Sequence, residues 1–386
     1  MAKVFVTDGQ WRKTLAVVRS LGKKGIKVTV GENIRLATSL FSKYATKRVV
    51  YPSPRTRPKA FIEYLIKELK EDSYDVLFPM EEETLLLVAQ NKEKFSKLTY
   101  LLIPDCEKIE FARNKKNIIQ KAQELDIPCP KTWFIGDIGE VERIAKEIQY
   151  PAVIKPQVSF GSYGIKRVRN EKELVLKYKE VHRIYPRPLI QESIPQEGEA
   201  FGVSALFNKD SELRAVFVHK RLREYPVTGG PSTLRESVKN PKVQELGLRL
   251  LKALNWVGVA MVEFKVDPRD GEPKLMEVNP RFWGSLQLAI LSGVDFPYLI
   301  YRMAKEGDIK PVLDYKIGVR CRWMFPGDFL HFFSNLRRFR WTPGFFNLRT
   351  NYDILSLRDP GPTLGRILSG YSLLSQKEMR RLLFRR

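Results

Sequence analysis

Between Lys3 and Glu32 the hydrophobic pattern changes period twice. A short apolar run from Val4 to Val6 gives way to Leu15, Val18 and Leu21 at helical spacing, and these give way to a second run from Val28 to Val30. Two strand-length runs flanking a 3.6-residue stripe predict a βαβ unit, because parallel strands need a crossover and a helix is the usual one. That single stretch commits the start of the chain to an α/β architecture with helices packed on a parallel sheet. The turn "TDGQ" (7–10) between the first strand and the helix carries one glycine in place of G-x-G-x-x-G, so the dinucleotide fingerprint is missing. Further strands are predicted at 74–80 and 99–105, with a helix from about Glu82 to Lys94 between them. Residues 1–112 thus read as a doubly wound α/β domain.

A helix follows from Lys115 to about Leu125 and ends at "DIPCP", whose prolines cannot continue it. Strands are predicted at 150–156 and 188–194, with a helix near 171–180 between them, so 113–198 forms a second unit. A third unit, 199–313, holds strands at "AFGVSALF", "LRAVFVHKR", "VGVAMVEFKVD" and "PKLMEVNP" and a helix over 242–255. With 386 residues, the chain is too long for one ordinary core, which agrees with several domains. Beyond Leu313 the composition shifts: from Arg320 to Arg386 there are thirteen Lys or Arg against four Asp or Glu, interleaved with aromatics. Residues 314–386 therefore read as a basic, aromatic-rich extension.

The whole chain carries 67 basic and 44 acidic residues, a net charge of +23, which calls for an anionic partner without saying which. No nucleic-acid motif is readable, so no specific nucleic-acid partner is expected. Three cysteines and three histidines are scattered with no metal-ligand spacing, which argues against a zinc site or a disulfide framework. No apolar run is long enough to span a bilayer, so a cytoplasmic location is expected, with the basic extension open to peripheral contact with a membrane.

Two stretches carry chemistry. In "LMEVNPRFWGS" (275–285), Glu277, Asn279 and Arg281 occupy every second position, so on a strand they share one face. A carboxylate and an amide oxygen are ligands of the kind Mg²⁺ takes beside substrate phosphates, and a guanidinium two residues on clamps anions; a solvated polar strand face is the alternative. In "QVSFGSYGIKRV" (157–168), Ser159, Gly161, Ser162 and Gly164 follow a strand bearing Lys155. Small residues let backbone N–H groups approach phosphate oxygens, although a flexible hairpin tip has the same composition.

Taken in order, Lys115, Lys155, the glycine loop, Glu192, Glu199, Glu263, Glu277 and Asn279 resemble the ATP-grasp superfamily over residues 1 to about 312. Within it, the resemblance is to an uncharacterised group of carboxylate–amine ligases related to the large subunit of carbamoyl-phosphate synthase. It implies an ATP-grasp fold with an N-terminal domain before it and two α+β subdomains. It implies ATP and Mg²⁺ as cofactors, with Mn²⁺ as a substitute, and a homodimer by analogy. Lys115, Lys155 and the loop residues Ser159, Gly161, Ser162 and Gly164 would contact the phosphates. Glu192 and the backbone near Ile194 would bind the adenine and Glu199 the ribose. Glu263, Glu277 and Asn279 would hold the metal, and Arg281 would act on the phosphorylated intermediate. Asn114 stands where relatives commonly have Asp, which puts the local helix cap in question.

The implied reaction joins a small-molecule carboxylate to an amine through an acyl phosphate. Substrate choice is expected in "HKRLREYPVTGGPSTLRES" (219–237), whose Lys220, Arg221 and Arg223 suit acidic groups; a charged, solvent-exposed hairpin is the plainer alternative. The stretch "FLHFFSNLRRFRW" (329–341) suits an amphipathic helix that either packs its aromatics on the body or meets an anionic surface or polymer. A non-catalytic, nucleotide-dependent polyanion- or membrane-binding protein is the competing expectation.

Overall fold

The computed structural model describes residues 2–159, 164–227, 229–334, 344–345 and 350–374, with side chains to 370. Its strands fall into three sheets. The first contains β1 (Lys3–Val6), β2 (Lys27–Glu32), β3 (Ala45–Val50) and β4 (Val76–Phe78), all parallel, in the order β3-β2-β1-β4. Successive β1 side chains take opposite faces: Val4 and Val6 enter one core with Val18 and Leu21 of the helix Arg12–Gly22, while Phe5 enters another with Phe61 and Leu65 of the helix Pro58–Glu71. The doubly wound reading follows from this burial on both faces.

Two sequence expectations change here. The strand expected at 99–105 contracts to a single bridge between Val76 and Tyr100. Pro104 has no N–H to extend the ladder, and the chain turns into the helix Cys106–Arg113. The helix expected over 82–94 is two helices, Glu82–Gln90 and Lys92–Ser96. The break falls at Asn91, whose backbone is non-helical and whose side chain donates to Leu87 O at 3.0 Å.

The second sheet holds β5 (Thr132–Phe134), β6 (Ala152–Lys155), β7 (Lys166–Val168) and β8 (Leu189–Glu192) in the order β5-β8-β6-β7, all antiparallel. Ile154, Ile190 and Tyr178 pack it against the helices Glu140–Glu147 and Glu171–Ile184.

The third sheet has seven strands: β9 (Ala200–Phe207), β10 (Leu213–Glu224), β11 (Ser232–Ser237), β12 (Gly258–Val266), β13 (Pro273–Asn279), β14 (Arg320–Arg322) and β15 (Asn351–Tyr352), in the order β13-β12-β9-β10-β11-β14-β15. One face is apolar: Val203, Val218, Val262 and Leu275 pack on the helix Pro241–Ala253. The other carries Glu263, His219 and Arg221 towards the N-terminal domain, since residues paired across antiparallel strands share a face. The last two strands come from the chain beyond residue 313, so part of the basic extension closes an edge of this sheet. Of the expected helix at 329–341, Phe329–Ser334 is helical and the remainder lies outside the described residues.

Candidate functional site

Strand β13 reaches the site as its alternation requires, and the register with β12 adds what alternation alone does not give. Glu263 stands directly opposite Glu277, and Met261 opposite Asn279. Two carboxylates therefore meet on one face at cross-strand distance. The amide Nδ2 of Asn279 donates to Glu263 Oε1 at 3.3 Å and lies 3.5 Å from Glu277 Oε1. Arg221 reaches in from β10 and forms an ion pair with Glu263.

Lys115 opens the helix Lys115–Glu124. Its predecessor Asn114 caps that helix, accepting the Lys116 N–H at 2.9 Å. The Lys115 side chain is buried, lies 3.7 Å from Glu277 Oε2 and donates to Ser159 O at 3.2 Å. Lys155, at the end of β6, donates to Gln191 Oε1 at 2.6 Å, and Gln191 in turn donates to Thr132 Oγ1 at 2.8 Å. A cleft of about 390 Å³, open to solvent, is lined by Lys115, Ser159, Glu277, Asn279 and Arg281.

Charge is unevenly shared across this cluster. Burial raises the Glu263 carboxyl above its ordinary range and the neighbouring Glu277 adds to it, against the pull of Arg221. Burial also acts on Glu277, but Lys115 foremost, then Arg221 and Lys155, outweigh it and hold that carboxyl lower than usual. More than a third of the Glu277 side chain remains open to solvent even so, which suits a group waiting for a ligand. Burial, then repulsion from Lys115, brings the Lys155 ammonium down to about 8.

The donor set fits Mg²⁺ bound together with phosphates. Among the described residues no group of three or more His, Cys, Asp or Glu forms a closed metal cage. Mg²⁺ ordinarily takes one or two carboxylates and completes its shell with water and substrate phosphate oxygens. Glu263, Glu277 and the Asn279 amide supply that kind of partial oxygen set. Two buried guanidinium nitrogens beside it, Nε of Arg221 and Nε of Arg281, have no hydrogen-bond partner among the described residues. Arg281 otherwise donates to Phe282 O at 2.9 Å. Cationic donors left unmade beside an open cleft are what an anionic ligand would satisfy.

The other residues singled out from the sequence fall elsewhere. Glu192, at the end of β8, accepts the Lys131 N–H at 2.8 Å and forms an ion pair with Arg269 at 2.9 Å; Ile194 is buried nearby in the chain. Gly164 turns at φ +72° against Pro156 and Tyr185, while Gly161 and Ser162 lie outside the described residues. Glu199 is ion-paired with Lys220. Lys220 alternates with Arg221 along β10, so it stands on the opposite sheet face and is not brought to the Glu263 cluster. Arg223 is buried in an ion pair with Asp328 at 2.9 Å, away from the cleft.

Four charged residues near the cleft carried no sequence signal. Glu82 and Arg113 line it and pair with each other at 2.7 Å. Lys13 pairs with Glu81 at 2.7 Å and donates to Phe282 O at 3.0 Å, which ties the first helix to the segment after β13. Lys13, Glu81 and Glu82 belong to the N-terminal domain and Arg113 to the start of the next unit, so only the docking of the two brings them here.

Residues 112–285 match the ATP-grasp domain family. The D-aspartate ligase of Enterococcus faecium is 26% identical over 287 residues, covering 68% of this chain and 66% of that protein. The carbamoyl phosphate synthase large chain of Methanobrevibacter smithii is 23% identical over 338 residues, covering 80% of this chain and 31% of that one. The chain thus matches just under two thirds of the first relative's length and under a third of the second's. Among solved structures, the biotin carboxylase domain of Hydrogenobacter thermophilus 2-oxoglutarate carboxylase, in complex with MgADP, ADP and bicarbonate, superposes with a TM-score of 0.66. It is 19% identical, and the superposition covers 82% of this chain and 73% of that one. Residues 112–285 thus match the ATP-grasp domain family, and the fold over 82% of the chain is similar to that of this biotin carboxylase domain.

Proposed function

We propose that this protein is an ATP-dependent, ADP-forming ligase that activates a carboxylate as an acyl phosphate and joins it to an amine. The observation that carries the proposal is the register of Glu263 opposite Glu277, with Asn279, Lys115, Arg221 and Arg281 around them. The D-aspartate ligase relative supports the reaction class. The MgADP in the biotin carboxylase domain supports Mg-ATP as the energy source.

The chemistry follows from charge. A carboxylate resists nucleophiles because its carbon is shielded by a full negative charge. In the first step a carboxylate oxygen attacks the terminal phosphorus of ATP and ADP leaves. In the second, the amine nitrogen attacks the acyl carbon, phosphate leaves, and the nitrogen gives up a proton. Lys115 and Lys155 would hold phosphate oxygens, Ser159 and Gly164 would flank the covering loop, and Glu192, Ile194 and Glu199 would frame the nucleoside. Glu263, Glu277 and Asn279 would hold Mg²⁺, which when bound neutralises charge on the transferring group. Arg281 and Arg221 would meet the acyl phosphate and the oxyanion that forms from it. Positioning and electrostatics do the work, since phosphoryl transfer asks little covalent chemistry of a protein. In this scheme residues 1–112 precede the ATP-grasp fold, 113–198 form its lid, 199–313 its metal-binding half and 314–386 the extension.

The test is release of ADP and phosphate by the purified protein with Mg-ATP against pools of amino acids and carboxylic acids, run beside Glu277→Ala. Release that depends on one pool and disappears in the variant supports the ligase. ATP binding without release from any pool would overturn it in favour of a non-catalytic nucleotide-binding protein.

A further inference from the structure

Over residues 361–370, the helix Gly361–Leu374 turns Gly365 and Ser369 inward and Leu364, Ile367 and Leu368 outward. Gly361 and Gly365 lie so close to Phe41 that a Cβ on the first would run into the Phe41 carbonyl oxygen and one on the second into the Phe41 ring. Ser369, on the same side, is fully buried and its Oγ accepts from Gln10 Nε2 at 2.9 Å. Leu364, Ile367 and Leu368, spaced to share one stripe, are 54%, 53% and 39% exposed. A helix that covers a water-soluble body normally buries such a stripe and shows small and polar residues to solvent. The segment leading into it continues the pattern, with Leu355 exposed and Leu357 fully so.

The surroundings are basic. Arg358 follows Leu357 and is exposed, and Lys23 and Lys43 stand nearby on the N-terminal domain. Burial first, then repulsion from Arg19, Arg358 and Lys24, makes Lys23 release its proton more readily than usual, which places these cations within electrostatic reach of one another. The acid of this segment, Asp359, is buried against Arg19 at 2.9 Å, Ser42 at 2.8 Å and the Lys43 N–H at 2.9 Å, and it acts on Lys23 less than the surrounding cations do. The sequence after the helix adds Lys377, Arg380, Arg381, Arg385 and Arg386 against Glu378 alone. Among the described residues no helix is long and apolar enough to cross a membrane.

The geometry points to an in-plane docking surface for an anionic lipid membrane, made by the outward stripe Leu364, Ile367 and Leu368 with Leu357, and with Lys23, Lys43 and Arg358 near the start of that helix. An apolar stripe enters the boundary between headgroups and acyl chains, and basic residues around it meet anionic headgroups. Charge complementarity selects the membrane over a second copy of this chain, because two copies facing each other here would oppose like charges. The proposal stands on this surface alone and is independent of the ligase reading.

The full-length protein is sedimented with vesicles of phosphatidylcholine alone and of phosphatidylcholine with phosphatidylglycerol in equal parts. Binding to the anionic vesicles is expected to exceed binding to the neutral ones by about tenfold and to fall as salt is raised. The triple variant Leu364→Ser, Ile367→Ser, Leu368→Ser is expected to lose at least about tenfold in partitioning while remaining folded, checked by a cooperative thermal transition. Lys23→Glu with Arg358→Glu is expected to abolish the preference for anionic vesicles while keeping the fold. Equal sedimentation of the wild-type protein and the triple variant overturns the proposal. So does a dimer in light scattering that the triple variant dissociates, with no vesicle binding, since the stripe would then serve a second copy.

Discussion

The two edges of the seven-stranded sheet both carry buried charge and use it oppositely. At the β12–β13 edge, Glu263 and Glu277 face each other beside an open cleft, and guanidinium nitrogens of Arg221 and Arg281 are left unsatisfied among the described residues. Near the β14–β15 edge, Asp328 is fully enclosed. Arg223 meets it at 2.9 Å, Arg322 at 3.3 Å and the Thr233 hydroxyl at 3.0 Å. Arg235 and Asp353, both buried, pair on the same side. Enclosed ion pairs are a structural fastening, whereas charge that lines an opening is a place for a ligand. Residue type alone does not separate the two.

The comparison breaks most readily at Asp328. Asp328→Ala removes the carboxylate from between two buried arginines and is expected to cost about 3–5 kcal/mol in chemical denaturation. A loss under about 1 kcal/mol would mean that this edge is as open as the other. Glu277→Gln is expected to do the reverse. Turnover should drop on the order of 100-fold to 1,000-fold with a far smaller loss of stability than at Asp328, read by ADP release and by urea titration. Arg281→Ala should slow turnover by about 2–3 kcal/mol of barrier while nucleotide binding by calorimetry is retained, because its anion forms only during the reaction.

A pH series sharpens the same contrast. Lys155 has its ammonium lowered to about 8 by burial and by Lys115. It is charged below that pH and neutral above it, so KM for ATP is expected to rise as pH climbs through 8, by up to about tenfold per unit. Lys155→Arg, which stays charged, should flatten that limb. The smallest effect belongs to Lys220→Ala. Its partner Glu199 is half exposed and both stand off the Glu263 face, so stability should change by less than about 1 kcal/mol and turnover by less than about threefold.

Legibility followed physical range. The βαβ start, the helix at Lys115 and the four strands named between 200 and 280 were readable because periodicity is local. The strand expected at 99–105 was not a strand, because an apolar run states burial and says nothing of a pairing partner. Strand β11 went unread because Ser232–Ser237 is polar and lies buried between neighbours that only the fold supplies. At the site, Lys115, Glu263, Glu277, Asn279 and Arg281 came from motif order, whereas Glu82 and Lys13 offered no pattern and arrived with the docked N-terminal domain.

The sequence by itself determined which side chains travel together: a period of two puts Glu277 and Asn279 on one face of β13, and places Lys220 and Arg221 on opposite faces of β10. Only the tertiary structure decided which face of β10 looks into the cleft, that Glu263 lies opposite Glu277, and that Asp328 is closed off while Glu277 stays open. Alternation is fixed by the geometry of each strand, but register, sheet order and enclosure are fixed by contacts between segments far apart in the chain, which no local pattern encodes.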